Sequence, residues 1–331
     1  MTDAYLYPSA YGAVGDGVTD DTKALQAWIT ACLQTGNAGW LSPTENGYVI
    51  SAPLVANGGY SLTVRGPGSG NGAMILMKSP TQDGLQIGVS GRVELSGFGF
   101  QGMNAKPTAG AAINFKSATN GALVDNIRTS NVFDGIRSNA VGFIFTRLDV
   151  SALDVCLALT NPGDSTVGVN SRLTPMASTA QGVVVNNPAG LKLADIKINS
   201  PIPYAYGVNA VVTVSDGDFF LPTPSSIEGF LNAGLIFSKV AGSNCTFGNV
   251  VIGAQFAQGG PNGYMVFFPS KDPPWISALS MVGVTGNGTH GCLISGVKSG
   301  VVTGCATSPA GALTITANNG KIVQGANNFS A

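Results

Sequence analysis

Charge is what this chain has least of. Only 10% of its 331 residues are Asp, Glu, Lys or Arg, and the net charge is −1 at neutral pH. A nucleic-acid or anionic-membrane partner calls for a basic surface, so neither is expected. Histidine occurs once, at His290, and the five cysteines, Cys32, Cys156, Cys245, Cys292 and Cys305, show no CxxC spacing. That argues against structural zinc and against a disulfide framework. No metal or cofactor is expected, and the cysteines read as small buried apolar residues of a chain folded under reducing conditions. No basic segment followed by an apolar core opens the chain, so a secretory signal is not expected. The longest charge-free stretch, Val240 to Ser270, is broken by Asn244, Asn249, Gln255 and Pro261 and does not read as a membrane span.

Glycine, by contrast, is abundant at 46 residues, and it recurs ahead of short apolar runs. Gly84, Gly110, Gly135, Gly182, Gly207, Gly234, Gly263, Gly291 and Gly311 each stand before such a run, and Cys156 to Leu159 fills the one double-length gap. From Gly84 to Gly311, 227 residues divide into nine intervals of about 25. A second ladder places an apolar residue, two others, then apolar residues one apart. It reads Leu95, Phe98, Phe100; Val124, Ile127; Phe145, Leu148, Val150; Leu193, Ile196, Ile198; and Phe247, Val250, Ile252. Period-two alternation at a 25-residue repeat predicts at least two short strands per repeat and a stacked solenoid of about ten coils. The expected fold is all-β, a single-stranded parallel β-helix body over 76–331 behind an N-terminal cap over 1–75.

The cap is written in residues 11 to 36. Thr19 reads as a helix N-cap, Asp20 and Asp21 as acids of the first turn, and Gly36 as the stop. Ala24, Leu25, Trp28, Ile29 and Cys32 share one helical face. Such a helix would cover the first coil, which otherwise exposes core and strand edge.

Tyr11, Gly12, Ala13, Gly15 to Gly17, Thr19 to Thr22, Ala24 and Gln26 resemble the N-terminal motif of the pectate-lyase-like superfamily of right-handed parallel β-helices, in particular bacteriophage tailspikes and polysaccharide depolymerases. Trp40, Pro43, Gly47, Tyr48 and Ile50 look like that family's first strand, and Leu62, Arg65, Gly66 and Gly68 continue the likeness. The resemblance implies a bacterial surface polysaccharide as partner, a homotrimer, other virion proteins as neighbours, and a phage-tail or extracellular location. The motif's start near Tyr7 departs from tailspikes that carry an N-terminal virion-attachment domain. Residues 240–331 hold only Lys271, Asp272, Lys298 and Lys321 as charges, which suits a subunit interface and equally a plain uncharged surface.

Glycoside hydrolysis needs two carboxylates about 5 to 5.5 Å apart for retention, or about 6.5 to 9.5 Å for inversion. Counted from their anchors, Asp164, Asp216, Asp218 and Asp272 fall at similar offsets, so they are expected along one edge of the coils. Asp216 and Asp218, about 6.6 Å apart if extended, suit an inverting pair. Asp216, Asp218 and Asp272 are the candidate catalytic residues. Tyr204, Tyr206, Phe219, Glu228, Tyr264 and Trp275 are the candidate substrate-binding residues, the rings serving as platforms for sugars. A turn use of Asp216 to Asp218, with the aromatics in the core, is the competing structural reading. A lyase would draw on Arg128, Arg147 and Lys197 beside Asp125, Asp149 and Asp195, a strip that stacked charges on a solvated face explain equally well. His290 followed by Lys298 faintly resembles a polygalacturonase motif whose other parts are missing, and a turn histidine is the better reading. The alternative to an enzyme is a non-catalytic virion or glycan-binding β-helix.

Overall fold

The computed structural model describes residues 5–331 except 70–71, 105, 118, 161, 163–164, 178, 187–190, 200–207, 216–218, 223–224, 229, 239–246, 258–262, 268–275, 287–291, 308–312, 326 and 330–331. The chain divides into two compact units, residues 1–158 and 159–331.

In the first unit the coil is three-sided, one strand more than the minimum the repeat suggests. One face stacks Leu54–Asn57, Leu85–Gly88, Ala111–Phe115 and Asp134–Ser138, all parallel. The next stacks Gly39–Trp40, Ser61–Arg65, Arg92–Ser96, Ala122–Asp125 and Ile144–Thr146. The third stacks Asp16–Asp20, Gly47–Ile50, Met74–Met77, Gly99–Gly102, Arg128–Val132 and Asp149–Ala152. Register turns the apolar alternation into columns. Leu54, Leu85, Ile113 and Ile136 form one, and Val64, Leu95, Val124 and Phe145 another, all buried. Each such side chain contributes roughly 1.5–3 kcal/mol by leaving water.

The anchor glycines are there for want of space. A Cβ on Gly84 would sit 2.7 Å from the Ala112 carbonyl oxygen, and one on Gly135 would sit 2.4 Å from that of Cys156. The two-residue gap in the second ladder is a corner between faces, taken by one left-handed residue: Gly97 (φ 74°), Asn126 (φ 51°) and Arg147 (φ 49°). Leu193, Ile196 and Ile198 span a like corner at Asp195 (φ 54°), whereas Phe247, Val250 and Ile252 do not, because their strand pairs along Ile276–Val282 without a register shift.

The helix runs Thr22–Thr35, and its buried face is Leu25, Trp28, Ile29 and Cys32, with Ala24 only half-buried. Trp28 Nε1 donates to the Leu6 carbonyl at 2.8 Å, and Gly36 ends the helix at φ 71°. Its start differs from expectation. Asp21, not Thr19, is the N-cap, and its buried carboxylate accepts the Val14 and Gly15 N–H groups at 2.7 and 3.0 Å. Asp20 takes the Ser51 hydroxyl, the Thr22 hydroxyl and the Thr22 N–H, which hold it at a pKa of about 2. The acids therefore tie the glycine-rich loop to the helix start instead of filling its first turn.

In the second unit the first face stacks Gln181–Asn186, Val208–Ser215, Phe230–Ser238 and Tyr264–Phe267. The second stacks Leu191–Asn199, Phe219–Leu221, Phe247–Ile252 and Ile276–Val282. In the last two coils a single strand, Cys292–Thr303 and then Leu313–Gln324, serves both faces. A third face carries Ser226–Glu228, Gln255–Ala257, Thr285–Gly286 and Ala306–Thr307. Cys32, Cys156, Cys292 and Cys305 are buried free thiols, and burial pushes Cys292 up to about 12. Cys245 lies outside the described residues.

Candidate functional site

In three successive coils of the second unit the described residues are interrupted between first face and second face, at 216–218, 239–246 and 268–275. The strands on either side are in register, Ser215 with Ser238 and Val250 with Leu279. Strands two coils apart stand about 9.6 Å apart, so the ends flanking the first and third interruptions are separated by that much. Asp216 and Asp218 belong to the first of these segments, Asp272 and Trp275 to the third. All four, with Tyr204, Tyr206, Asp164 and His290, lie outside the described residues.

Of the candidates that are described, Phe219 is corrected. It is fully buried with its ring edge-on to Phe237 at 5.9 Å, and an inward ring offers no platform to a sugar. Tyr264 is half-exposed and stacks on Phe267 at 4.6 Å. Glu228 is half-exposed between Asn199 and Ala257 in register. The outward row that alternates with the Leu235–Val266–Cys292 column is apolar, Ile236, Phe267 and Leu293, each half-exposed. In the first unit the row alternating with Leu85, Ile113 and Ile136 is polar instead: Gln86, Asn114 and Arg137.

That polar row covers two acids that sequence reading passed over. Asp134 is in register with Ala111, whose N–H donates at 2.8 Å to Asp83 Oδ1 one coil earlier. The two acids are therefore spaced by about 9.6 Å along the stack, near the upper limit for an inverting pair. Accessibility decides against that role, because their side chains are only 6% and 3% exposed. Asp134 Oδ1 accepts the Val155 N–H at 3.0 Å, so each carboxylate binds a backbone N–H of the following coil. Asp83 also takes Asn114, Gln86 and, at 3.2 Å, Lys116; Asp134 takes Arg137. Burial pushes Asp83 up, but these donors outweigh it and hold the acid below the ordinary carboxylate value. At Asp134 burial prevails and the value is raised. Both are latches between coils. Their signal in sequence was an aspartate directly before an anchor glycine, Asp83-Gly84 and Asp134-Gly135.

The strip considered for lyase chemistry is tied up in the same manner. Arg147 forks onto both oxygens of Asp125, Arg128 lies 3.7 Å from Asp149, and Asp195 accepts the Asn170 N–H at 2.9 Å. Arg147 and Asp195 are left-handed corner residues, so their charges serve turns. Among the described residues no three metal-ligating side chains come together, and no helix is long and apolar enough to cross a membrane.

No protein-family model and no curated protein matches the chain. Solved structures match it in fold. The Acinetobacter phage vb_AbaP_AS12 gp42 tailspike superposes with a TM-score of 0.63 at 15% identity, covering 99% of this chain and 62% of the tailspike. The Dettilon tailspike protein (gp208) gives 0.61 at 14% identity, over 95% of this chain and 68% of the other. The Azotobacter vinelandii mannuronan C-5 epimerase AlgE6 A-module gives 0.58 at 14% identity, over 99% and 100%. Identities this low speak for fold alone. Stacked parallel coils, inward columns and these neighbours give the chain the fold of a right-handed parallel β-helix.

Proposed function

We propose that this protein is a tailspike-like polysaccharide depolymerase, a glycoside hydrolase that acts on a bacterial surface polysaccharide such as capsule, O-antigen or exopolysaccharide. Asp216 and Asp218, with Asp272, carry the acid and base roles. One carboxyl protonates the leaving oxygen while the other activates a water. Glu228, Tyr264, Tyr204, Tyr206 and Trp275 hold the polymer. The observation that carries this reading is the half-exposed Tyr264–Phe267 stack in the apolar outward row of Ile236, Phe267 and Leu293, because exposed aromatic faces suit sugar rings. The tailspike neighbours support a virion location, and the charge-poor stretch 240–331 supports a homotrimer; light scattering at the 33.5 kDa monomer mass would overturn the trimer.

Release of reducing ends from purified capsule tests the chemistry. Asp216→Asn and Asp218→Asn are each expected to lower the rate by about 10²-fold or more, the usual worth of a general acid or base. Unchanged rates in both variants would overturn the assignment. A non-catalytic glycan-binding β-helix is the second reading, favoured by the commitment of Asp83, Asp125 and Asp134 to structural partners. A clear halo on a lawn bearing the matching glycan decides for the enzyme.

A further inference from the structure

We propose that the first unit carries a separate binding site for a carboxylate-bearing sugar, in the groove between Arg92 and the stacked turns at Gly121 and Gly142. The proposal rests on the reading of this protein as a polysaccharide-recognising β-helix and adds a second contact of defined chemistry.

The groove has a volume of about 380 Å³ and is lined by Arg92, Asn120, Gly121, Leu123, Gly142 and Ile144. That is the small end of the range for ligand sites, roughly 300–1,000 Å³, and suits a sugar unit or two. Its floor comes from register. Glu94, Leu123 and Ile144 follow one another up the second face, so an outward row changes from acidic to apolar. Ile144 is 51% exposed, and the turns above it are joined by the Asn120–Val141 bridge. Gly121 (φ 74°) and Gly142 (φ 66°) differ from the anchor glycines, because a Cβ on either would meet nothing within 4 Å. They leave the groove open.

The charge is equally specific. Of the five arginines in this unit, Arg65 donates to Glu94 at 2.7 Å, Arg137 pairs with Asp134, Arg147 with Asp125, and Arg128 lies 3.7 Å from Asp149. Arg92 is left with Glu94 Oε2 at 4.0 Å, and its side chain is 71% exposed. Arg92 lines the groove, and its nearest carboxylate, Glu94, is shared with the closer Arg65. A guanidinium takes a carboxylate through two parallel hydrogen bonds. The apolar floor suits the C–H face of a pyranose, and the Asn120 amide suits its hydroxyls. A neutral sugar would leave Arg92 idle, and a bare phosphate would have no use for Leu123 and Ile144.

Uronates and sialates share this chemistry, so titration calorimetry with tetragalacturonate and with an α2,8-linked tetrasialate separates the sources, and maltotetraose is the neutral control. At least one acidic probe should bind, and Arg92→Gln should weaken it tenfold or more without shifting the melting temperature. Gly142→Asn keeps Arg92, tolerates the left-handed turn and fills the groove, and should weaken the same probe to a similar degree. Failure of both acidic probes to bind, equal binding by Arg92→Gln, or equally tight binding of maltotetraose would overturn the site. The Asp216→Asn, Asp218→Asn protein should retain acidic-probe binding, so loss of the catalytic assignment and loss of this site are read independently.

Discussion

Asp83 and Asp134 hold equivalent posts two layers apart, yet their surroundings drive their titrations in opposite directions. The folded value of Asp83 lies below its unfolded value of about 3.9, so its contribution is complete above that pH and is lost as pH falls through the lower folded value. For Asp134 the folded value lies above the unfolded one, so its ionisation takes stability away as pH rises between the two. Asp83→Asn should therefore cost about 1–3 kcal/mol at pH 7, the penalty for turning an amide nitrogen toward the Lys116, Asn114 and Gln86 donors that share Oδ2. Asp134→Asn should cost less, since an amide oxygen still accepts the Val155 N–H and a charge opposed by burial is removed. Urea unfolding at neutral and acid pH measures both. Equal losses at pH 7, or an Asp83→Asn cost that does not shrink as pH falls below about 3.9, would contradict the two environments.

The elements show what a one-dimensional pattern can carry. Anchor glycines and the inward alternation are local demands of every coil, so periodicity alone exposed the stacked strands and the helix face of Leu25, Trp28, Ile29 and Cys32. The third strand of each coil was merged with the second, because the second ladder runs across the corner between them, from Leu95 to Phe100 and from Phe145 to Val150. The helix start was misassigned for a similar reason. Asp21 spends its carboxylate on Val14 and Gly15, partners that no spacing rule for helix caps includes. The helix itself packs through Trp28, whose ring lies where a Cβ on Gly39 would come within 2.5 Å. Trp28→Ala is expected to cost about 3–5 kcal/mol, the range for emptying a large buried aromatic site. In a solenoid the damage should start at the nearest coil, so amide exchange should quicken first at Leu6, Trp40 and Leu41. Uniform quickening across residues 1–158 would show instead that this unit opens as one block.

At the scale of the molecule, low charge and long regular stacking set both what was legible and how the protein meets its partner. A site in a β-helix is assembled from residues about 25 positions apart, and register decides which of them share a row. That is why the Asp83–Asp134 row and the Arg92 groove escaped a reading based on neighbouring residues. It is also why the second-unit acids rest on the alignment of strands such as Ser215 with Ser238 and Val250 with Leu279. Charge acts over a different range. With a net charge of −1 and Arg65, Arg137 and Arg147 held in close ion pairs, the chain generates little field beyond its own surface. Raising the salt from ~0.1 to ~1 M shortens the screening length from about 10 to about 3 Å. Steered encounters slow steeply over that range, whereas contacts built from apolar faces and neutral hydrogen bonds do not. The kcat/KM for capsule cleavage should accordingly change by less than about twofold over this range, while binding of the acidic probe at Arg92 weakens. A steep fall in cleavage would mean that charge, not the Tyr264–Phe267 face, brings the polymer to the coils.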